Sequence, residues 1–264
     1  MVNGFASLKQ SWAIQQRVIG ALFIREILTR YGRHNIGFLW LFLEPMTFTI
    51  GVTILWTVFK STHGSDLPIT AFAISGYSTA LLWRNMPSRC IVAIQPNLSL
   101  LYHRYVKVID IFISRLLVEG GGATISFISL TFLFSFMGWM DLPEDILKVA
   151  LGWIMLAWFG CAFALLLGAL SERTELVERI WHPFSYFMLP LSGVAYLVDA
   201  LPPEFQKVVL YLPLVHGVEL IREGFFGSKI VAHYDLGYFA MINLILSLFA
   251  LIFVRKVSRQ VIPE

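Results

Sequence analysis

Residues 36–59 read IGFLWLFLEPMTFTIGVTILWTVF, and the single charge among these 24 residues is Glu44, placed directly before Pro45. A helix crosses the hydrocarbon core of a bilayer with about 20 apolar residues, so this stretch is predicted to span a membrane. An ionised carboxylate inside a span costs about 2.5–3.5 kcal/mol even on lenient insertion scales, so Glu44 is expected to face protein or water rather than lipid. Two roles stay open for it: lining or gating a polar path, or a hydrogen-bonded packing role in which Pro45, lacking a backbone donor, bends the helix.

Five further stretches share this character: Leu67–Trp83, Asp110–Gly138, Ile146–Leu170, Ile180–Val198 and Leu236–Val254. The predicted architecture is an all-α integral membrane protein with six transmembrane helices in one domain over residues 1–264. The composition fits, because 57% of the 264 residues are hydrophobic and only 14% charged, against about 25% charged in a soluble domain. A formal net charge of +3 gives no reason to expect nucleic acid as a partner. With the N-terminus inside, the internal segments hold 14 Lys and Arg residues and the external ones hold five, Lys60, Lys148, Lys207, Arg222 and Lys229. The positive-inside bias therefore places both termini in the cytoplasm.

Before the first span, Ala21–Arg33 reads ALFIREILTRYGR. At 100° per residue Ala21, Phe23, Ile24, Ile27, Leu28 and Tyr31 share one side. Arg25, Glu26, Thr29, Arg30 and Arg33 share the other, with Leu22 the exception. This is the pattern of an amphipathic helix lying in the membrane interface. Glu26 and Arg30 have the spacing of an i,i+4 pair, as do Arg115 and Glu119 in the third span. The helix is either an anchor for the first span, or it offers Arg30 and Arg33 to an anionic head group.

The internal connection Arg84–Ile109 contains QPNLSLLYHRYVK (Gln95–Lys107), where Pro96 and Asn97 are suited to start a short helix. Such a helix suggests a contact for a soluble partner; the plainer reading is a solvated, positively charged loop. Gly160, Ala164 and Gly168 form a small-residue stripe of the kind that packs helices. Between Asp199 and Asp235 the chain is external yet apolar, and Pro213 divides it into two pieces too short to span. A re-entrant helix pair between the fifth and sixth spans fits, covered by protein or lining a wet cavity. His216, Glu219 and Arg222 recur at three-residue steps there, but one His with one Glu makes a poor metal site.

No GxxxxGK[ST], GxSxG, HExxH or CxxC pattern occurs, so no catalytic or metal-binding residue is assigned and ATP hydrolysis is expected on another chain.

The stretch REILTRYGRHNIGFLWLFLEP (Arg25–Pro45) resembles the start of the type-2 ABC exporter permeases that move capsular polysaccharide, O-antigen and teichoic acid. The likeness continues through LLYHRYVKVIDIFISR (Leu100–Arg115) and LPLVHGVELIREGFF (Leu212–Phe226), and the spacing of six spans extends it over the chain. The resemblance implies a homodimer in the bacterial inner membrane, two separate ATP-binding subunits that carry ATP and Mg, a lipid-linked polysaccharide as cargo, and periplasmic export components as further partners. It implies that Asn97, Leu100, Leu101, Tyr102 and Arg104 belong to a coupling helix that meets the ATPase, with Ser171–Arg179 as a second contact. A glycan needs a wet path lined by rings that stack on sugar faces. Trp40, Phe42, Phe48, Trp56 and Phe59 on the first span, and Trp181, Phe184, Tyr186, Phe187 and Tyr196 on the fifth, are the candidates. Of these Trp40, Trp56 and Tyr186 join Arg30, Arg33 and Glu44 as expected substrate contacts. Lipid-facing rings are the ordinary alternative. An O-antigen or teichoic-acid exporter, and a membrane-bound lipid- or sugar-modifying enzyme, are the competing readings.

Overall fold

The computed structural model describes residues 4–31, 35–58 and 67–261, and these contain helices and no strand. The order is α1 (Gly4–Tyr31), α2 (Asn35–Val58), α3 (Ile69–Cys90), α4 (Leu98–Leu101), α5 (Val108–Phe136), α6 (Ile146–Ser171), α7 (Leu176–Leu191), α8 (Pro203–Val209), α9 (Pro213–Phe226) and α10 (Leu236–Val261). Three of them, α5, α6 and α10, are long and apolar enough to cross a membrane. Within α2 the apolar part, Phe42–Val58, is shorter. The 16 residues of α7 make a rod of about 24 Å, less than the hydrocarbon thickness.

Predicted boundaries held where a cap marks them. Asp145 accepts hydrogen bonds from the backbone N–H groups of Leu147 (3.0 Å) and Lys148 (3.1 Å) and so starts α6. Three boundaries moved. The N-terminal helix runs over 28 residues rather than beginning near Ala21. Arg84 and Pro87 were expected to lie in a loop, yet α3 continues through both to Cys90; the Ile91 N–H still donates to the Pro87 carbonyl at 3.0 Å. The fifth apolar stretch stops being helical at Leu191, where Pro190 and the left-handed Gly193 (φ +83°) turn the chain.

At the centre lies α6, packed against α3, α9 and α10, while α3 also meets α2 and α5, and α1 lies on α5 and α2. The small-residue stripe is what permits the α3–α6 contact. A Cβ on Gly168 would sit 2.8 Å from the Cys90 carbonyl oxygen and 2.7 Å from the Phe112 ring. One on Gly160 would meet Met86 Sδ at 2.8 Å, and Ala164 is fully buried. Gly168→Ala is expected to destabilise the protein by about 1–3 kcal/mol through overpacking against backbone that cannot yield. Gly121→Ala, with nothing within 4 Å, should be neutral or mildly stabilising. Thermal unfolding of the detergent-purified variants checks the contrast.

Candidate transport and coupling site

Four helices contribute to a charged cluster around Glu119 of α5. Its carboxylate, 7% exposed, accepts a hydrogen bond from Arg30 Nη1 of α1 and lies 3.2 Å from Arg89 Nε of α3. The second arm of Arg30 donates to Glu44 Oε2 of α2 at 2.8 Å, and this carboxylate is 49% exposed. Glu44, Pro45, Asn85, Gly122 and Ala123 complete the walls of the small cleft at Arg30 and Glu119. The carboxylate in the first apolar stretch therefore has a cation as its neighbour, as the cost of ionising it in lipid requires.

Both expected i,i+4 pairs are replaced by pairs between helices. Arg115 lies 3.4 Å from Glu26 of α1 and donates from Nη1 to the Arg89 carbonyl at 2.6 Å, leaving Glu119 to Arg30 and Arg89. A pair along one exposed helix is worth only a few tenths of a kcal/mol, so packing α1 onto α5 overrides it. The faces of α1 shift accordingly. Leu22, the sequence exception, is buried with Ile27, whereas Ile24 and Leu28 are exposed and Arg30 points inward. Amphipathic periodicity located the helix but not the polar residues that its buried side carries.

Earlier along α1, Arg25 Nη1 donates to Asn97 Oδ1 at 2.5 Å, and Gln15 bonds to Asp110 at the start of α5. Asn97 is itself buried and donates to the Ala93 carbonyl at 2.8 Å. It ends a single 3-10 turn (Gln95–Asn97) that leads into α4. The expected coupling residues thus divide. Asn97 and Leu101 are buried and Leu100 is half-buried, so they hold the loop; Tyr102, 81% exposed, and Arg104 are presented to solvent, with Leu98 and Tyr105 beside them. The helix also ends at Leu101 rather than near Arg104. On the same side, Gln95 donates to Glu172 at 3.0 Å, and Ser171, Glu172, Arg173, Thr174, Glu175 and Glu178 wall a polar cleft with Val92 and Gln95.

Among the rings, Trp40 is exposed, and Trp56 packs edge-on against Tyr77 of α3 with centroids 5.5 Å apart. Tyr77 also meets Phe48 at 5.7 Å. Tyr186 of α7 is 64% exposed and lies under the Arg84 guanidinium, 4.1 Å from its centroid. Trp181 is buried instead, its Nε1 donating to Ser88 at 2.7 Å. Arg33 and Phe59 fall outside the described residues.

The α8–α9 segment is pinned by the charges that the sequence spaced three apart. Arg222 is fully buried. Its Nη1 donates to the Gly193 (2.6 Å) and Tyr196 carbonyls, its Nη2 to the Val194 carbonyl at 2.6 Å, and its plane lies 3.9 Å from the Phe72 centroid. Glu219 accepts from the N–H groups of Val198 (3.3 Å) and His233 (3.2 Å). The His216 ring binds the Leu210 carbonyl through Nε2 at 2.8 Å and accepts the Asp235 N–H at Nδ1 at 2.9 Å. All three side chains are spent on backbone groups. Among the described residues no His, Cys, Asp or Glu grouping is placed to hold a metal.

Arg89 and Asn85 join the Glu119 cluster and its cleft, although the sequence pattern puts them, with Arg84, in a cytoplasmic loop. The available signal was that Pro87 stands at the end of an apolar segment, where a helix passes through a proline if neighbouring groups satisfy the freed carbonyl.

The ABC-2 type transporter family matches residues 17–226. The chain is 41% identical over 258 residues to the capsule polysaccharide export inner-membrane protein CtrC of Neisseria meningitidis serogroup B, covering 98% of this chain and 97% of CtrC. It is 40% identical over 258 residues to BexB of Haemophilus influenzae, with the same coverage and the same description. The polysialic acid transport protein KpsM of Escherichia coli is more distant, at 28% over 242 residues, covering 90% of this chain and 92% of KpsM. With its family match over most of its length and two such relatives, the chain belongs to the ABC-2 type transporter family.

Proposed function

We propose that this chain is the permease subunit of an ATP-driven exporter that carries a lipid-linked capsular polysaccharide across the bacterial inner membrane. The observation that carries this reading is similarity over 98% of the chain to relatives named as capsule polysaccharide export inner-membrane proteins. In this reading α2, α3, α5, α6, α7 and α10 are the six spans, α8 and α9 form the external re-entrant pair, and both termini are cytoplasmic. Two copies enclose the path, two ATP-binding subunits carrying ATP and Mg dock below, and periplasmic components receive the glycan. Trp40, Trp56 and Tyr186 face the path. Arg30 is engaged by two carboxylates, so an anionic head group reaches it only by displacing Glu44, the more exposed of the two.

The coupling surface is the part most open to test. Tyr102 and Arg104 stand clear of the protein, while Leu101 belongs to its core. Tyr102→Asp combined with Arg104→Asp is expected to abolish co-purification with the ATPase and to stop export, with insertion and melting temperature unchanged. Leu101→Asp should instead lower the melting temperature. Retention of the ATPase and of glycan export by the double variant would remove this loop from the coupling interface.

A further inference from the structure

Arg84 differs from the other arginines packed between these helices. Arg30 and Arg89 reach Glu119, Arg115 reaches Glu26, and Arg222 is consumed by three carbonyls. Among the described residues no carboxylate lies within ion-pairing distance of Arg84, and its one side-chain hydrogen bond runs from Nε to Ser185 Oγ at 3.3 Å. It lies inside α3, six residues before Cys90, which is about 9 Å of helix. A snorkelling arginine extends along its own helix to water. This one crosses to α7 and lies on the exposed ring of Tyr186.

Resting on the exporter reading above, we propose that Arg84 and Tyr186 form an oxyanion-binding site on the transport path, one that selects acidic cargo. A cation at membrane depth without a counter-ion marks a wet, functional surface. The stack on Tyr186 and the bond to Ser185 fix the guanidinium plane and leave its two terminal nitrogens for a carboxylate or phosphate, the bidentate geometry that lysine cannot supply. Tyr77 lies two turns earlier on the same side of α3 and carries Trp56 and Phe48 at its ring. A sugar stacked there places its acidic substituent toward Arg84. The anion is either a carboxylate of the glycan or the phosphate of its lipid linker, and the same site serves both chemistries.

The test uses the permease with its ATPase in nanodiscs and three lipid-linked probes. These are a uronate trisaccharide on dialkylglycerol, a neutral trisaccharide on a phosphodiester-linked lipid, and the neutral trisaccharide on dialkylglycerol. Arg84→Gln is expected to weaken binding of an anionic probe at least about tenfold, the scale of a charged hydrogen bond, and to flatten its salt dependence. The uncharged probe should bind as before, which also reports an intact fold, and Arg84→Lys should recover the salt dependence but only part of the affinity. A loss confined to the uronate probe assigns the site to the glycan; one confined to the phosphodiester assigns it to the linker. Equal weakening of all three probes, or no change in any, overturns the site while leaving the exporter reading intact. Failure of the wild-type complex to bind any of them overturns that reading, and this site with it.

Discussion

Glu119→Leu is expected to cost the permease about 3 kcal/mol and to reduce its accumulation as a functional exporter. The reason is the asymmetry of buried ion pairs. Keeping both partners is close to neutral against an apolar replacement, but removing one strands the other in a low dielectric. Here one carboxylate neutralises two arginines from two helices, at 7% exposure. Its loss leaves Arg30, 16% exposed, with only the half-exposed Glu44, turns the 44%-exposed Arg89 to water, and loosens α1 from α5, so the cost stays at the lower end of that for a broken buried pair. Glu44 shares Arg30 but is half exposed, so Glu44→Gln, which keeps the shape and an acceptor oxygen, should cost about 1 kcal/mol or less. Thermal unfolding in detergent separates the two. A double-mutant cycle of Glu119→Leu with Arg30→Gln should then give a coupling energy in the range found for contacting charged groups, about 0.5–3 kcal/mol. Equal and small losses for Glu119→Leu and Glu44→Gln would show that the cluster does not hold the helices together.

This cluster also marks where the sequence became hard to read. Charges within one helix have a predictable register, and the register alone offers Glu26 to Arg30 and Arg115 to Glu119. The pairs that form depend on how α1 lies against α5 and α2, and neither helix encodes that orientation by itself. The long apolar helices were legible because length and hydropathy suffice for them: α5, α6 and α10 begin within two residues of the predicted spans. The packing stripe was legible too, since Gly160, Ala164 and Gly168 repeat at one face of α6. Ends without a cap were not. Pro87 and Arg84 look like terminators, yet α3 passes through both, and that extension puts Arg84 beside α7 and Arg89 beside Glu119. In Gln95–Lys107 the composition indicated a partner contact, but burial sorts Leu101 from Tyr102, adjacent residues on opposite sides of one short turn.

Arg222→Ala should produce a destabilisation of similar size, on the order of 3–5 kcal/mol, located at the opposite end of the molecule. The three carbonyls that Arg222 satisfies, of Gly193, Val194 and Tyr196, belong to the turn that follows α7, and Gly193 holds a left-handed conformation there. Without the guanidinium those acceptors are buried and unpaired, each at about 1–3 kcal/mol, and the Phe72 ring loses its cation. Glu219 does not share the burden as an ion-pair partner, because its two oxygens accept from Val198 and His233 N–H groups. Arg222→Lys keeps the charge, but a single ammonium cannot serve three carbonyls in the fork geometry of arginine, so it should fall between wild type and alanine. Local opening is distinguishable from global loss by labelling Val194→Cys, buried in the folded turn, with a membrane-impermeant maleimide, with Cys90 and Cys161 replaced by serine. Arg222→Ala should raise the labelling rate at residue 194 as it lowers the melting temperature. An unchanged melting temperature would mean that backbone packing around Gly76, whose Cβ would lie 2.7 Å from the Val194 carbonyl oxygen, holds this turn without the arginine.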